Sequence, residues 1–239
     1  MTSDKLETPE EISTDVESSN PTRPPAAAVI RKALAKAAIP AIRITGHPGS
    51  GKTSLIEATL RHLPAPMRVG VIVINPASIR DAQRLRELCG YVGRLDVAVP
   101  TGAGVGRVFA EIDLQKLDLL LIETAGGLAP LHDLGQDAIV SVFAVSGGDD
   151  KAAEYRQVLA ASSAVILTKK DLLPLVKFDS RVFRNDLESI NPAAEIFEIS
   201  AQTGIGIPAW VAWLDRLRAC KRRKQAGPCP DAASNQFLG

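Results

Sequence analysis

The run Gly46-His47-Pro48-Gly49-Ser50-Gly51-Lys52-Thr53 leaves this chain few alternatives. Ala41 to Thr45 before it is apolar and short enough for a buried strand, and Ser54 to Leu63 after it has the composition of a helix. Between a strand and a helix, the spacing G-x-x-x-x-G-K-[ST] turns several backbone N–H groups into one hollow at a helix N-terminus, where the dipole favours an anion. Glycine is required because only a residue without Cβ lets the backbone come so close to a phosphate. The residues from Gly46 through Gly49, Ser50, Gly51 and Ser54 therefore form an expected phosphate cradle. Lys52 would reach the terminal phosphates, and the Thr53 hydroxyl would bind the Mg²⁺ that bridges them.

A chain of 239 residues can bury one large core. We expect a domain over residues 26–219, an acidic tail at 1–25 and a basic, then disordered, tail at 220–239. Against 28 Lys+Arg stand 27 Asp+Glu, so a net charge of +1 draws the protein to neither nucleic acid nor membrane. The three cysteines, Cys89, Cys220 and Cys229, have neither metal-site nor disulfide-framework spacing, which suits a reducing compartment. No apolar run approaches a membrane span and the N-terminus is no secretory leader, so a soluble, cytoplasmic protein is expected.

Residues up to Pro25 carry Asp4, Glu7, Glu10, Glu11, Asp15 and Glu17 with little apolar content, the composition of a disordered tail that solvation or a basic partner could explain. Ala26 to Ala38 then reads as an alanine-rich helix with Val29, Ile30 and Leu34 on one face, a lid on the sheet edge or a brace for the core. From Ala41 onward strand and helix patterns alternate, which specifies an α/β fold with a mostly parallel sheet and helices on both faces. Expected strands are Val69 to Ile74, Leu95 to Val99, Leu117 to Glu123, Ile139 to Val145, Ala164 to Thr168 and Glu195 to Ser200. Expected helices between them are Arg80 to Cys89, Arg107 to about Leu114, and Glu154 to Ala161. Trp210, Trp213 and Leu217 form a core stripe on a last helix, whose basic end from Arg216 to Lys224 is either solvated or meets an acidic partner.

Two strand ends carry further chemistry, because ligands bind where parallel strands finish. Asn75 follows the second strand. Glu123 closes the run LDLLLIE and faces the crevice, where it could hold Mg²⁺ through water or position an attacking water. Thr168-Lys169-Lys170-Asp171 follows another apolar strand. A fixed carboxylate at Asp171 can accept hydrogen bonds from N1–H and the N2 amino group of guanine, whereas adenine offers an acceptor at N1. The Lys169 stem can lie along the ring, and Thr168, Ser200 and Ala201 complete the expected base site. The last pair resembles the Ser-Ala motif that supports guanine O6.

With these residues placed, the chain resembles the P-loop nickel-insertion GTPases of hydrogenase and urease maturation, more closely the hydrogenase (HypB-type) branch. The likeness runs from about Ile42 to Leu214 through HPGSGKTSLIEATL, LLLIETAGG, GGDDK, TKKDLLP, INPAAEIFEISAQTGIG and WVAWL. It implies a three-layer P-loop NTPase fold and a GTP hydrolase using GTP/GDP and Mg²⁺, with Lys52, Glu123 and Asn75 at the catalytic centre and Thr53 and Glu123 at the metal. It also implies a homodimer across the nucleotide face, a maturation scaffold protein as partner, and a metalloenzyme client of the [NiFe]-hydrogenase type. Three departures bear on that. Val73, Ile74 and Asn75 stand where the family has Glu-Gly-Asp, so a charge beside Mg²⁺ is lost and slow hydrolysis is expected. Val105 and Gly106 replace the Cys-His pair of the interface metal site. Thr124 to Gly135 lacks the further cysteine, leaving His132 as a lone candidate, while His47 is a spacer in the phosphate loop. A resident nickel or zinc therefore lacks its usual ligands. The other reading is a guanine-nucleotide-binding paralogue that docks on a partner with little hydrolysis and no nickel transfer.

Overall fold

The structure, a computed structural model, describes residues 26–74, 79–97, 102–125, 132–148 and 151–226. The acidic N-terminal stretch, Asn75 and the chain beyond Ala226 lie outside these residues.

Helix α1 (Ala26–Ala37) buries Ala27, Ile30 and Leu34, the spacing of one helical face. Val29, expected on that face, is 53% exposed, and α1 packs along a later helix as a brace rather than a lid. The chain then runs through β1 (Ala41–Gly46), α2 (Lys52–His62), β2 (Val69–Ile74), α3 (Ile79–Arg86), β3 (Tyr91–Leu95), α4 (Gly102–Phe109), β4 (Leu119–Ala125) and β5 (Ala138–Ala144). It continues through α5 (Lys151–Glu154), α6 (Arg156–Ala160), β6 (Ala164–Thr168), α7 (Ser180–Ile190), β7 (Glu195–Glu198) and α8 (Ile207–Ala226).

Among the described residues seven strands form one sheet in the order β3-β2-β4-β1-β5-β6-β7, with every pairing parallel. Both faces are covered, as such a sheet requires. Successive residues of β1 point to opposite faces. Ile42 and Ile44 join Leu55, Trp210 and Trp213 beneath α2 and α8, whereas Ala41 joins Ile30, Leu34, Leu120 and Val105 beneath α1 and α4. A third cluster, centred on Phe143, Tyr155 and Phe183, covers β5 and β6 with α5 to α7. The Trp stripe is core as expected: Trp210 is fully buried, stacks on Trp213 at 5.1 Å between centroids, and donates Nε1–H to Thr59 Oγ1 at 2.9 Å. Cys89 is likewise packed, its thiol donating to Leu85 O at 3.2 Å and pushed up in pKa by burial.

Several expected boundaries move. The third strand is Tyr91–Leu95, not Leu95 to Val99, because Gly93 lies under α4, where a Cβ would meet Val108 Cγ1 at 2.4 Å, and Tyr91 Oη donates to Val108 O at 3.2 Å. Helix α4 begins inside the glycine-rich stretch rather than at Arg107, since burial of Val105 and Val108 outweighs the poor helix propensity of glycine. The segment expected as one helix from Glu154 is two short ones, interrupted at Tyr155. Helix α8 continues through the expected domain boundary at residue 219 to Ala226.

Its last turns are latched to the sheet. Lys221 pairs with Asp137, Arg222 Nη2 lies 2.9 Å from Asp118 Oδ1, and Gln225 Nε2 donates to Lys36 O. With Arg216 on Glu195 and Arg218 on Asp215, four of the basic residues read as solvated thus have partners inside the chain. Asp118 also binds Arg68 Nε at 3.0 Å, and this hydrogen bond holds its carboxyl below the usual carboxylate range.

Candidate functional site

The phosphate-loop sequence leaves β1 at the centre of the sheet and enters α2. A Cβ on Gly46 would stand 2.2 Å from Val142 O, so the strand can turn only with glycine there. Gly51 has φ +88° and N-caps α2 without a side-chain hydrogen bond, which leaves the first N–H groups of the helix to a ligand. Ser50 Oγ is buried and has no hydrogen-bond partner among the described residues. Lys52, 8% exposed, folds back over the loop and donates from Nζ to Gly46 O at 2.8 Å and His47 O at 3.0 Å. Burial pushes its pKa down, while the charge of Glu123 acts the other way. His47 itself is exposed at the loop crest.

Glu123 comes from the neighbouring β4, whose register places it beside Ile44 of β1. It is 6% exposed, and Thr53 Oγ1 donates to its Oε1 at 2.7 Å. A hydroxyl and a buried carboxylate in contact at a phosphate cradle are the hard oxygen donors that Mg²⁺ takes, so the residues present fit that ion. Asn75, the third expected catalytic residue, lies outside the described residues, as do Gly126 and Gly127.

The residues expected to read a base converge on the same end of the sheet from β6 and β7. Thr168 Oγ1 donates to Ser50 O and lies 3.2 Å from Phe143 O, so the first residue of the motif braces the phosphate loop. Lys169 adopts the left-handed conformation, φ +58°, and Lys170 N then donates to Ile199 O at 3.1 Å. Ser200 Oγ donates to Asp171 Oδ1 at 2.5 Å and accepts from Thr203 N at 3.2 Å, fixing the carboxylate. Outside it, Glu198 holds Lys170 at 2.8 Å and Arg184 at 2.5 Å. Burial would raise the Glu198 pKa, but these two cations hold it below the usual range.

Between α2 and this loop lies a cavity of about 450 Å³, lined from Gly51 and Ser54 at one end to Asp171, Ala201 and Gln202 at the other. Its size suits a small-molecule ligand. Glu57, Ala58, Arg61 and His62 line its α2 wall, and sequence reasoning missed them. Their spacing from Ser54 follows one helical face, and that signal could have found them. A larger groove of about 810 Å³, between Leu60, Met67, Leu88 and Leu117, holds none of the motif residues.

Among the described residues no group of three or more His, Cys, Asp or Glu could hold a metal ion. Val105 is fully buried in the core under α1, and His132 is exposed with its carbonyl accepting from Arg43.

A profile of the CobW/HypB/UreG nucleotide-binding domain matches residues 40–198. The hydrogenase maturation factor HypB of Azotobacter vinelandii is 32% identical over 191 residues, covering 76% of this chain and 62% of that protein. This chain thus spans a little under two thirds of that relative's length. The crystal structure of hydrogenase maturation factor HypB from Archaeoglobus fulgidus superposes with a TM-score of 0.75 at 27% identity, over 81% of this chain and 97% of that one. The crystal structure of HypB from Helicobacter pylori in complex with nickel shares the fold, with a TM-score of 0.76 at 23% identity, over 86% of this chain and 98% of that one.

Proposed function

The chain belongs to the CobW/HypB/UreG nucleotide-binding family, and on that premise we propose that it is a Mg²⁺-dependent GTPase assisting metal-centre assembly in a metalloenzyme, with a [NiFe]-hydrogenase as client. The observation that carries this reading is one cavity that runs from Gly51, the last glycine of the phosphate loop, and Ser54 to the Ser200-fixed Asp171. Relatives named hydrogenase maturation factors support the client. A maturation scaffold protein, a nucleotide-dependent homodimer and a cytoplasmic site of action complete the proposal. Among the described residues no helix is long and apolar enough to cross a membrane.

Each residue's task follows from its position. Asp171 accepts from the guanine N–H groups, Lys169 covers the ring, and Ser200 with Ala201 borders the base. The loop N–H groups and Lys52 take the phosphates, Lys52 exchanging two backbone carbonyls for phosphate oxygen. Thr53 and Glu123 would hold Mg²⁺, which supplies charge neutralisation to the β- and γ-phosphates. Glu123→Gln tests the assignment: turnover should fall on the order of a hundredfold with GDP affinity in metal-free buffer retained. Undiminished turnover would remove Glu123 from the centre.

One residue favours a second reading. Asn75, the residue after Ile74 in the sequence, is an amide where the resemblance implies a carboxylate, which suits a protein that docks on its partner in a nucleotide-dependent way and hydrolyses slowly. Asn75→Asp separates the two. A large gain in turnover marks a weakened enzyme, and no gain means that Thr53 and Glu123 suffice.

A further inference from the structure

Arg43 lies in the middle of β1, the central strand of the sheet, and only 4% of it is exposed. It shares the α1 face with Ala41, Leu120 and Ile122, an apolar setting in which a charged group is costly. Among the described residues no carboxylate lies within ion-pair distance of it, and burial pushes the guanidinium pKa down to about 10. Well-packed apolar residues are usually no less stable than such a buried charge. What the guanidinium does provide is a fork. Nε donates to Thr124 Oγ1 at 3.2 Å and Nη1 to His132 O at 2.7 Å.

Those acceptors are not neutral positions. Thr124, fully buried, is the residue directly after Glu123, and its side chain points to the opposite face of β4. His132 lies ahead of β5, the strand that pairs with the other edge of β1. We propose that Arg43 is a positioning residue for Glu123: its fork fixes the C-terminal end of β4, and so holds the neighbouring carboxylate on Thr53, where nucleotide-bound Mg²⁺ is read. The proposal rests on the reading of Glu123 as the acid at magnesium. Arginine suits this task better than lysine, since its N–H donors are held in one rigid plane whereas an ammonium is a rotating point charge.

The test uses Arg43→Met, which keeps an unbranched apolar stem and removes the guanidinium, and Thr124→Val, which keeps its shape and removes the acceptor. Amide exchange in the ligand-free protein at residues 123–125 should rise on the order of tenfold in each variant while amides in β6 stay as protected as before. In the presence of GDP, the affinity gain that Mg²⁺ confers should be mostly lost, with metal-free GDP affinity held within about threefold, and kcat should fall about tenfold or more with KM little changed. The double variant should lose less than the sum of the two single losses, because both changes break the Arg43–Thr124 bond, while the Thr124 Oγ1 donation to Ile44 O at 3.5 Å is lost only with Thr124→Val. Unchanged exchange at 123–125, or losses that simply add, would overturn the proposal. If the parent protein shows no Mg²⁺ effect on GDP, the role of Glu123 fails, and the exchange result still decides whether Arg43 holds the end of β4.

Discussion

Thr168 Oγ1 donates to the backbone carbonyl of Ser50 across a sequence separation of 118 residues, so the loop that would read the base and the loop that would cradle phosphate share a hydrogen bond. The hydroxyl is buried, and the same atom lies near Phe143 O on β5. Thr168→Val keeps the shape and leaves a buried carbonyl short of its donor. Such a loss costs about 1–2 kcal/mol, so GDP should bind roughly tenfold more weakly in a fluorescence titration. An unchanged affinity would mean that the two loops hold their positions independently.

On the proposed reading Asp171 would set the base preference through its two acceptor oxygens, one of them already held by Ser200. Asp171→Asn substitutes an amide that donates as well as accepts. GDP binding should weaken by about a hundredfold while xanthosine diphosphate, which offers a carbonyl at C2, gains. Competition between the two diphosphates measures it directly, and equal losses for both would point to a collapsed loop instead.

Gly206, at φ +79°, packs against the end of β7, where a Cβ would come 2.1 Å from Glu198 O. Gly206→Ala should cost about 2 kcal/mol or more and lower Tm by roughly 5 °C or more. A calorimetric scan of the free protein reads it.

The Trp210 indole separates packing from hydrogen bonding in the core under α8. Trp210→Phe loses the bond to Thr59 and keeps most of the ring contact, at a cost of about 1–2 kcal/mol. Trp210→Ala opens a cavity as well and should cost about 3–5 kcal/mol in urea unfolding.

The latch of α8 on Asp118 makes stability depend on pH. The folded-state pKa of Asp118 is depressed by the hydrogen bond from Arg68, so its contribution is complete above the unfolded value of about 3.9 and is lost as pH falls through the lower folded value. Asp118→Asn should therefore lower Tm at pH 7, and the difference from the parent protein should vanish in stronger acid. A difference that persists there would assign the effect to packing.

How far the sequence could be read depended on how local the physics was. The phosphate loop, Glu123 and the Thr168 to Asp171 motif are legible because each couples a strand end to a fixed residue spacing, and all of them meet at one end of the sheet. The start of α4 was missed because its glycines disfavour a helix locally, while the burial of Val105 against α1 decides the matter at long range. Arg43 gave no signal, since a single cation in an apolar strand looks like a solvent-facing alternation until the sheet covers both faces. The partners of Lys221 and Arg222 were invisible for the same reason: Asp137 and Asp118 are distant in sequence.

The central claim is that one cavity reads guanine and a Mg²⁺-bound polyphosphate together. Calorimetric titration with GDP, a non-hydrolysable GTP analogue and an ATP analogue, each with and without Mg²⁺, tests it most directly. The account predicts tight binding of both guanine nucleotides, strengthened by Mg²⁺, and adenine binding weaker by about a hundredfold or more. Affinity indifferent to the base, or no binding of any nucleotide, would contradict it.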